Sequence, residues 1–376
     1  MTHVRLIHLA SCCTLRIFPL IALVFAGLLA AAEPASAYPL WDGVEPVADY
    51  AARVNLPPKK IIDLGNTVTM ELVLIPAGKF MMGTPPPTPV DEAGFNQKIV
   101  TALACLAASG GAFVFVLGFV LIQAIRKRRR PQVSLGLLLL VTVASGGGVL
   151  SAMHWRRSTD RLQAARLDYA VVEARYANAS DNEKPAHPVV LTRPFYMGKF
   201  DVTQDQYQAV MGSNPSQIKG KNNPVDTVGW DSAQEFCKIL SEQNKRTVRL
   251  PSEAEWEFGC RAGSGTAYCL GDAEVDLGRA AWYLGNAGGT SHPVGLKEPN
   301  TFGLYDMHGN VWQWCQDWYG EDYYAKAPAE NPPGPERGED RVLRGGSWFH
   351  DSLASRSSSR EKENPTTPAT TGVSEL

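Results

Sequence analysis

No cysteine follows Cys315 in this chain of 376 residues. The seven that occur are Cys12, Cys13, Cys105, Cys237, Cys260, Cys269 and Cys315. None forms a C-x-x-C pair, which removes the spacing on which most zinc sites are built. A G-x-S-x-G nucleophile elbow and a phosphate-binding glycine loop are also missing, so two common catalytic signatures are excluded. His187, His292, His308 and His350 are scattered without metal-ligand spacing. Charge of one sign is not in excess: the net charge of −2 gives no reason to expect nucleic-acid binding. What remains is ordinary globular composition, 44% apolar and 20% charged, with length for two domains or one domain with additions. Cys12 and Cys13 fall in a leader and Cys105 in an apolar run, which leaves four cysteines for the folded part. An exported location would permit disulfides among them, but spacing does not assign a pairing.

Residues 1–37 read as a secretory signal. Arg5 and Arg16 precede an apolar stretch from Ile17 to Ala32, and Ala35-Ser36-Ala37 offers a small-x-small cleavage site before Tyr38. An uncleaved N-terminal anchor is the alternative. A second apolar region runs from Ile99 to Ile125 and a third from Val133 to Met153, each longer than the roughly 20 residues needed to cross a bilayer. Arg126-Lys127-Arg128-Arg129-Arg130 lies between them. The reading is a two-helix transmembrane hairpin, about 99–125 and 133–154, with its basic loop in the cytoplasm and both ends outside. A buried helical hairpin in a soluble core is the competing reading. Leu162, Ala165, Tyr169, Val172 and Tyr176 then repeat at 3-4-3-4 spacing, predicting a helix over 158–177 that is either a seam for self-association or an amphipathic spacer.

The remainder predicts one irregular α+β domain with long ordered loops. Met70 to Ile75 is a strand candidate, and Phe195 to Val202 looks like the continuation of the same domain beyond the interruption. Thr203-x-x-Gln206 predicts a capped helix ending at Gly212, Asp231-x-x-Gln234 a second start, and Ser252-x-x-Glu255 a third that stops at Gly263. Ala233, Phe236, Cys237 and Leu240 repeat as one buried face, which makes Cys237 a core residue rather than a reactive one. Trp312, Trp314, Trp318 and Trp348 suit the core of a loop-rich domain better than a ligand cleft, because tryptophan buries a large area.

Five motifs occur in a fixed order: Ile75-Pro76-Ala77-Gly78-Lys79-Phe80-Met81-Met82-Gly83; Asn223-Pro224-Val225; Arg249-Leu250-Pro251-Ser252-Glu253-Ala254-Glu255-Trp256-Glu257; Gly303-Leu304-Tyr305-Asp306-Met307-His308-Gly309-Asn310-Val311-Trp312; and Arg344-Gly345-Gly346-Ser347-Trp348. In this series the chain resembles the formylglycine-generating enzyme, or sulfatase-modifying factor, family. The resemblance covers 41–84 and 186–350, and it implies a C-type-lectin-like α+β fold interrupted by 85–185. Residues 351–376 read as a divergent, disordered tail.

Family enzymes oxidise a sulfatase cysteine to formylglycine, using oxygen and copper(I) held by two thiolates just beyond the Gly-Gly-Ser motif. The resemblance puts His350 and Ser355 at those positions; a serine hydroxyl is a poor ligand for soft copper(I). It also implies a calcium loop in which Asp306 supplies a carboxylate, Gly309 and Val311 carbonyls, and Gln313 stands for the usual glutamate. The alternative is that Asp306 and Gln313 hydrogen-bond the turn. The functional expectation is therefore a membrane-tethered, extracytoplasmic binding or scaffold module for an unidentified protein or peptide ligand, without copper chemistry and without nucleic acid. The competing expectation is a formylglycine-type oxidoreductase with a divergent metal site at His350.

Overall fold

Strands from opposite ends of the 85–185 interruption pair directly, and this builds the first two sheets. In the computed structural model, residues 38–91, 97–101, 135–366 and 373–374 are described. The first elements are α1 (Val47–Arg53), β1 (Lys59–Gly65), β2 (Val68–Ile75) and β3 (Gly78–Met82). After the interruption come β4 (His187–Leu191) and β5 (Phe195–Gly198). β1 and β2 form a hairpin, Lys59 opposite Val73 and Gly65 opposite Val68. Its two-residue loop, Asn66-Thr67, has positive φ at both positions, as a turn matching strand twist requires. β2 then pairs antiparallel with β5, Leu72 facing Gly198, and β3 pairs antiparallel with β4.

The interruption itself carries α2 (Leu135–Asn178), a single helix of 44 residues. A separate second arm and spacer helix, expected from the sequence, are thus one element. No proline lies between Met153 and Ser158 to break it. Its last turn docks on the domain: Arg175 donates to Asp272 at 2.8 Å and to the Gly265 carbonyl at 3.0 Å. The 3-4-3-4 stripe is the covered side of α2, with Leu162 buried and Ala165, Tyr169, Val172 and Tyr176 partly so. Among the described residues no helix is long and apolar enough to cross a membrane, so the transmembrane hairpin is not supported. The leader 1–37, the first arm beyond Thr101 and the basic loop lie outside the described residues.

Four more helices follow, α3 (Gln204–Met211), α4 (Trp230–Asn244), α5 (Glu253–Arg261) and α6 (Glu274–Ala280). Thr203 and Ser252 form the capping boxes expected of them, and Gly212 closes α3 in a left-handed conformation. α5 ends one residue early, at Ala262 with φ 45°. The start of α4 is a correction: Gly229 is the cap, and Asp231 sits inside the first turn. The Trp230 indole donates to the Cys315 carbonyl at 2.9 Å, which pins Trp230 as the first helical residue. Asp231 still suits the positive end of the helix. Ala233, Phe236, Cys237 and Leu240 are all buried there.

The last sheet holds β6 (Trp312–Trp318), β7 (Arg341–Arg344), β8 (Glu361–Glu363) and β9 (Val373–Ser374), in the order β8-β7-β6-β9. The disordered tail read from 351 onward is therefore corrected: β8 pairs with β7, and Ser355 to Arg360 are buried. Two ion pairs hold the segment. Arg356 forks onto Glu183 at 2.7 and 2.7 Å, and Arg360 onto Glu253 at 2.5 and 2.9 Å. Bidentate geometry of this kind fixes orientation as well as contributing energy. Among the described residues the two largest apolar clusters lie around Trp256, Phe258 and Phe302, and around Phe236, Leu240, Trp312 and Trp314. Trp312 and Trp314 are core residues. Trp318 is half-buried with the Arg341 guanidinium 3.4 Å over its ring, and Trp348 is half-buried.

Candidate functional site

The 300–313 loop is locked onto α5 by Asn300. Its amide donates to the Gly259 and Cys260 carbonyls at 2.7 and 3.2 Å, and its oxygen accepts from the Phe302 and Leu304 amides. Gly303, Asp306, Gly309 and Asn310 all take positive φ, so the chain coils tightly there. The Gly309 amide donates to the Gly345 carbonyl at 2.7 Å, which brings the Gly-Gly-Ser segment alongside. The expected calcium residues are thereby gathered, but their side chains are engaged. Gln313 donates to Asp201 at 2.7 Å and to the Asp306 carbonyl at 2.9 Å, while its oxygen accepts from the Trp256 indole at 2.6 Å. Asp306 accepts from the Gly295 amide at 2.8 Å. Burial raises the Asp306 carboxyl to about 6. Both ends of the Gln313 amide are thus engaged and Val311 is fully buried, an arrangement that braces the turn.

The side chains at the two thiol positions of the resemblance are engaged within the protein. His350 Nδ1 lies 2.7 Å from the Ser347 hydroxyl and 3.3 Å from the Trp312 indole N–H. The indole can only donate, so Nδ1 is the accepting nitrogen and the proton sits on Nε2. Burial lowers the pKa of this imidazole. Ser355 is fully buried beneath Gly346, and its hydroxyl reaches the Asp351 carbonyl at 3.5 Å. A neutral hydroxyl in that place offers copper(I) nothing comparable to a thiolate. Among the described residues no three His, Cys, Asp or Glu side chains converge as a metal set.

A cluster the sequence does not announce lies beside Ser355. His308 Nδ1 donates to the Ser355 carbonyl at 2.7 Å, and Nε2 accepts from the Cys269 amide at 3.1 Å. A carbonyl only accepts and an amide only donates, so the ring is neutral with its proton on Nδ1. Cys260 Sγ lies 3.6 Å from Nε2 and 3.6 Å from the Ser357 hydroxyl. Burial raises the Cys260 thiol and pushes Cys269 up to about 12, so neither is a thiolate at neutral pH. Residues 260, 269 and 308 share no short spacing, and no local signal could have joined them.

The same burial sets an acid response. Burial depresses His308 to about 4 from an ordinary 6.5. The unfolded chain therefore takes up that proton first, and the stability His308 confers is complete above 6.5 and lost as pH falls toward 4. Asp317 acts oppositely. Burial raises its carboxyl from 3.8 to about 7, so its contribution falls as pH rises through that window. Asp317→Asn should therefore steepen the loss of stability between pH 6.5 and 4, read as urea midpoints. Equal slopes in the two proteins would remove this account.

The fold and the loop-borne motifs together define an α+β domain of the formylglycine-generating-enzyme type. The sequence model of the family described as "Sulfatase-modifying factor enzyme 1-like domain" matches residues 168–372, and the chain belongs to that family. The match runs through the Arg356 and Arg360 segment. The formylglycine-generating enzyme of Streptomyces coelicolor is 39% identical over 157 residues, 38% of this chain and 48% of that protein. The serine/threonine-protein kinase pkn1 of Chlamydia pneumoniae is 33% identical over 216 residues, 49% of this chain and 32% of that protein. The chain thus spans about half of the first relative and a third of the second. The structure of PvdO from Pseudomonas aeruginosa matches with TM-score 0.54 at 21% identity, over 85% of this chain and 99% of that one, a likeness of fold.

Proposed function

We propose that this family member is a membrane-tethered, extracytoplasmic binding or scaffold module that has given up the copper-thiolate oxidase centre. The observation that carries the reading is the state of the thiol positions. His350 is committed through Nδ1, and Ser355 is a buried hydroxyl under Gly346. Around them the domain is fully built, with the Arg356 and Arg360 pairs and the Asn300 lock intact. Two relatives differ in kind, one named as an enzyme of this type and one as a kinase, which suits a domain used in several settings. Its ligand would be a protein or peptide.

The tether rests on the sequence: long uncharged runs on each side of Arg126 to Arg130, behind a signal-like leader. Protease added to intact cells should remove the domain from the membrane fraction while leaving the basic loop protected. A domain that resists protease until the cells are lysed would contradict the placement. Turnover of a sulfatase-type Cys-x-Pro-x-Arg peptide would contradict the loss of oxidase chemistry.

A further inference from the structure

A cavity of about 620 Å³ lies between the β1-β2-β5 sheet and the loop that leaves α4. Pairing Lys60 with Leu72 and Ile62 with Met70 puts these four side chains on one face of the hairpin, and Leu72 opposite Gly198 extends that face onto β5. Apolar side chains thus form the floor, and Gly198 presents no side chain there. The chain turns at Lys245 through a left-handed residue, and the following segment, with Arg246 and Arg249, forms the opposite wall.

The charges in this cavity are unbalanced. Its lining holds three cations, Lys60, Arg246 and Arg249, against one carboxylate, Glu255. Arg249 uses that carboxylate fully, in two bonds of 2.7 Å each. Among the described residues neither Lys60 nor Arg246 has a carboxylate within ion-pair distance. Lys60 is instead held 3.7 Å over the Tyr196 ring. Burial lowers the Lys60 pKa, and the Arg246 charge adds to the shift as a second cause. The two positive groups line one cavity over an apolar floor, Lys60 partly buried and Arg246 exposed. An anion placed between them would accept charge-assisted hydrogen bonds from both. The volume falls within the range of small-molecule sites, which are mostly apolar with a few placed polar groups.

We infer that this cavity binds a small amphipathic anion, its carboxylate or phosphate between Lys60 and Arg246 and its apolar body on Ile62, Met70 and Leu72. None of these residues belongs to the His350 and Ser355 region, so the inference stands whether or not the domain is an oxidase. The ion pair of Arg249 with Glu255 fixes the wall and is left out of the contact.

The test uses the full-length chain in lipid nanodiscs, with empty nanodiscs as the blank, titrated with indole-3-butyrate and with its uncharged amide by calorimetry. Saturable binding of the acid is expected, at least tenfold weaker for the amide and at least tenfold weaker again for the acid with the Lys60→Gln/Arg246→Gln double variant. Both positions reach solvent, and an unchanged melting temperature in the variant shows that its fold is kept. Equal affinity for acid and amide would overturn the anion role. Equal affinity of parent and variant would overturn the site, and so would the absence of saturable binding to the folded parent.

Discussion

Glu257→Ala is expected to destabilise the domain by about 3–5 kcal/mol, the cost of leaving a buried charge without its partner. Glu257 is fully buried on α5 and serves three donors. Arg261 donates to it at 2.8 Å, Arg344 from β7 donates to its other oxygen, and the Gly83 amide donates at 2.9 Å. Its removal takes the nearest carboxylate from two guanidinium groups, and Arg344, itself fully buried, keeps a longer contact to Glu253 at 3.6 Å. The substitution also releases Gly83, where the segment before the interruption meets the domain. Glu253 stays with Arg360, so the collapse need not be complete. Urea unfolding monitored by tryptophan fluorescence reads the loss. A midpoint unchanged from the parent would show that the buried pairs carry little of the stability. Glu257→Gln should cost less, because its amide oxygen can still accept from Gly83.

Gly309→Ala should also be severely destabilising, for a reason independent of charge. Gly309 has φ 72°, and a Cβ there would stand 2.1 Å from the Trp282 carbonyl oxygen. That oxygen cannot swing aside, since it accepts from the Asn310 amide at 2.6 Å. Backbone strain alone costs about 1–3 kcal/mol, and displacement of the Trp282 backbone comes on top of it. Gly303→Ala is the control. Its φ of 83° imposes comparable strain, yet nothing lies within 4 Å of its Cβ position. The difference between the two melting temperatures isolates the clash. Equal losses at the two positions would mean that the contact with Trp282 is not tight.

What the sequence shows and what it hides divide along the distance between partners. The caps at Thr203 and Ser252 are legible because cap and partner are three residues apart. The buried face of α4 is legible because period 3.6 is local, although Asp231 misleads about the first residue. The tail from 351 to 366 is not legible. Its low-complexity serines look disordered, yet Arg356 meets Glu183 across 173 residues and Arg360 meets Glu253 across 107. Gln313 illustrates the same limit in the site. Its position in the loop motif suggests a weakened cation ligand, and only the fold reveals its bonds to Trp256, Asp201 and the Asp306 carbonyl. The cluster of Cys260, His308 and Ser357 is likewise a product of topology. By contrast, the absence of thiols beyond Cys315 is read from the sequence alone, and the structure adds the Ser347 and Trp312 contacts of His350 Nδ1.

The most direct measurement is peptide oxidation by the full-length chain in nanodiscs, supplied with copper(I) and oxygen and a sulfatase-type Cys-x-Pro-x-Arg peptide. Mass spectrometry reads the conversion of cysteine to formylglycine. The scaffold account predicts no conversion above that of copper and peptide without protein, with the domain folded throughout. Conversion that requires the protein, and disappears in His350→Ala, would contradict it and make this chain an oxidase with a histidine where its family carries a thiol.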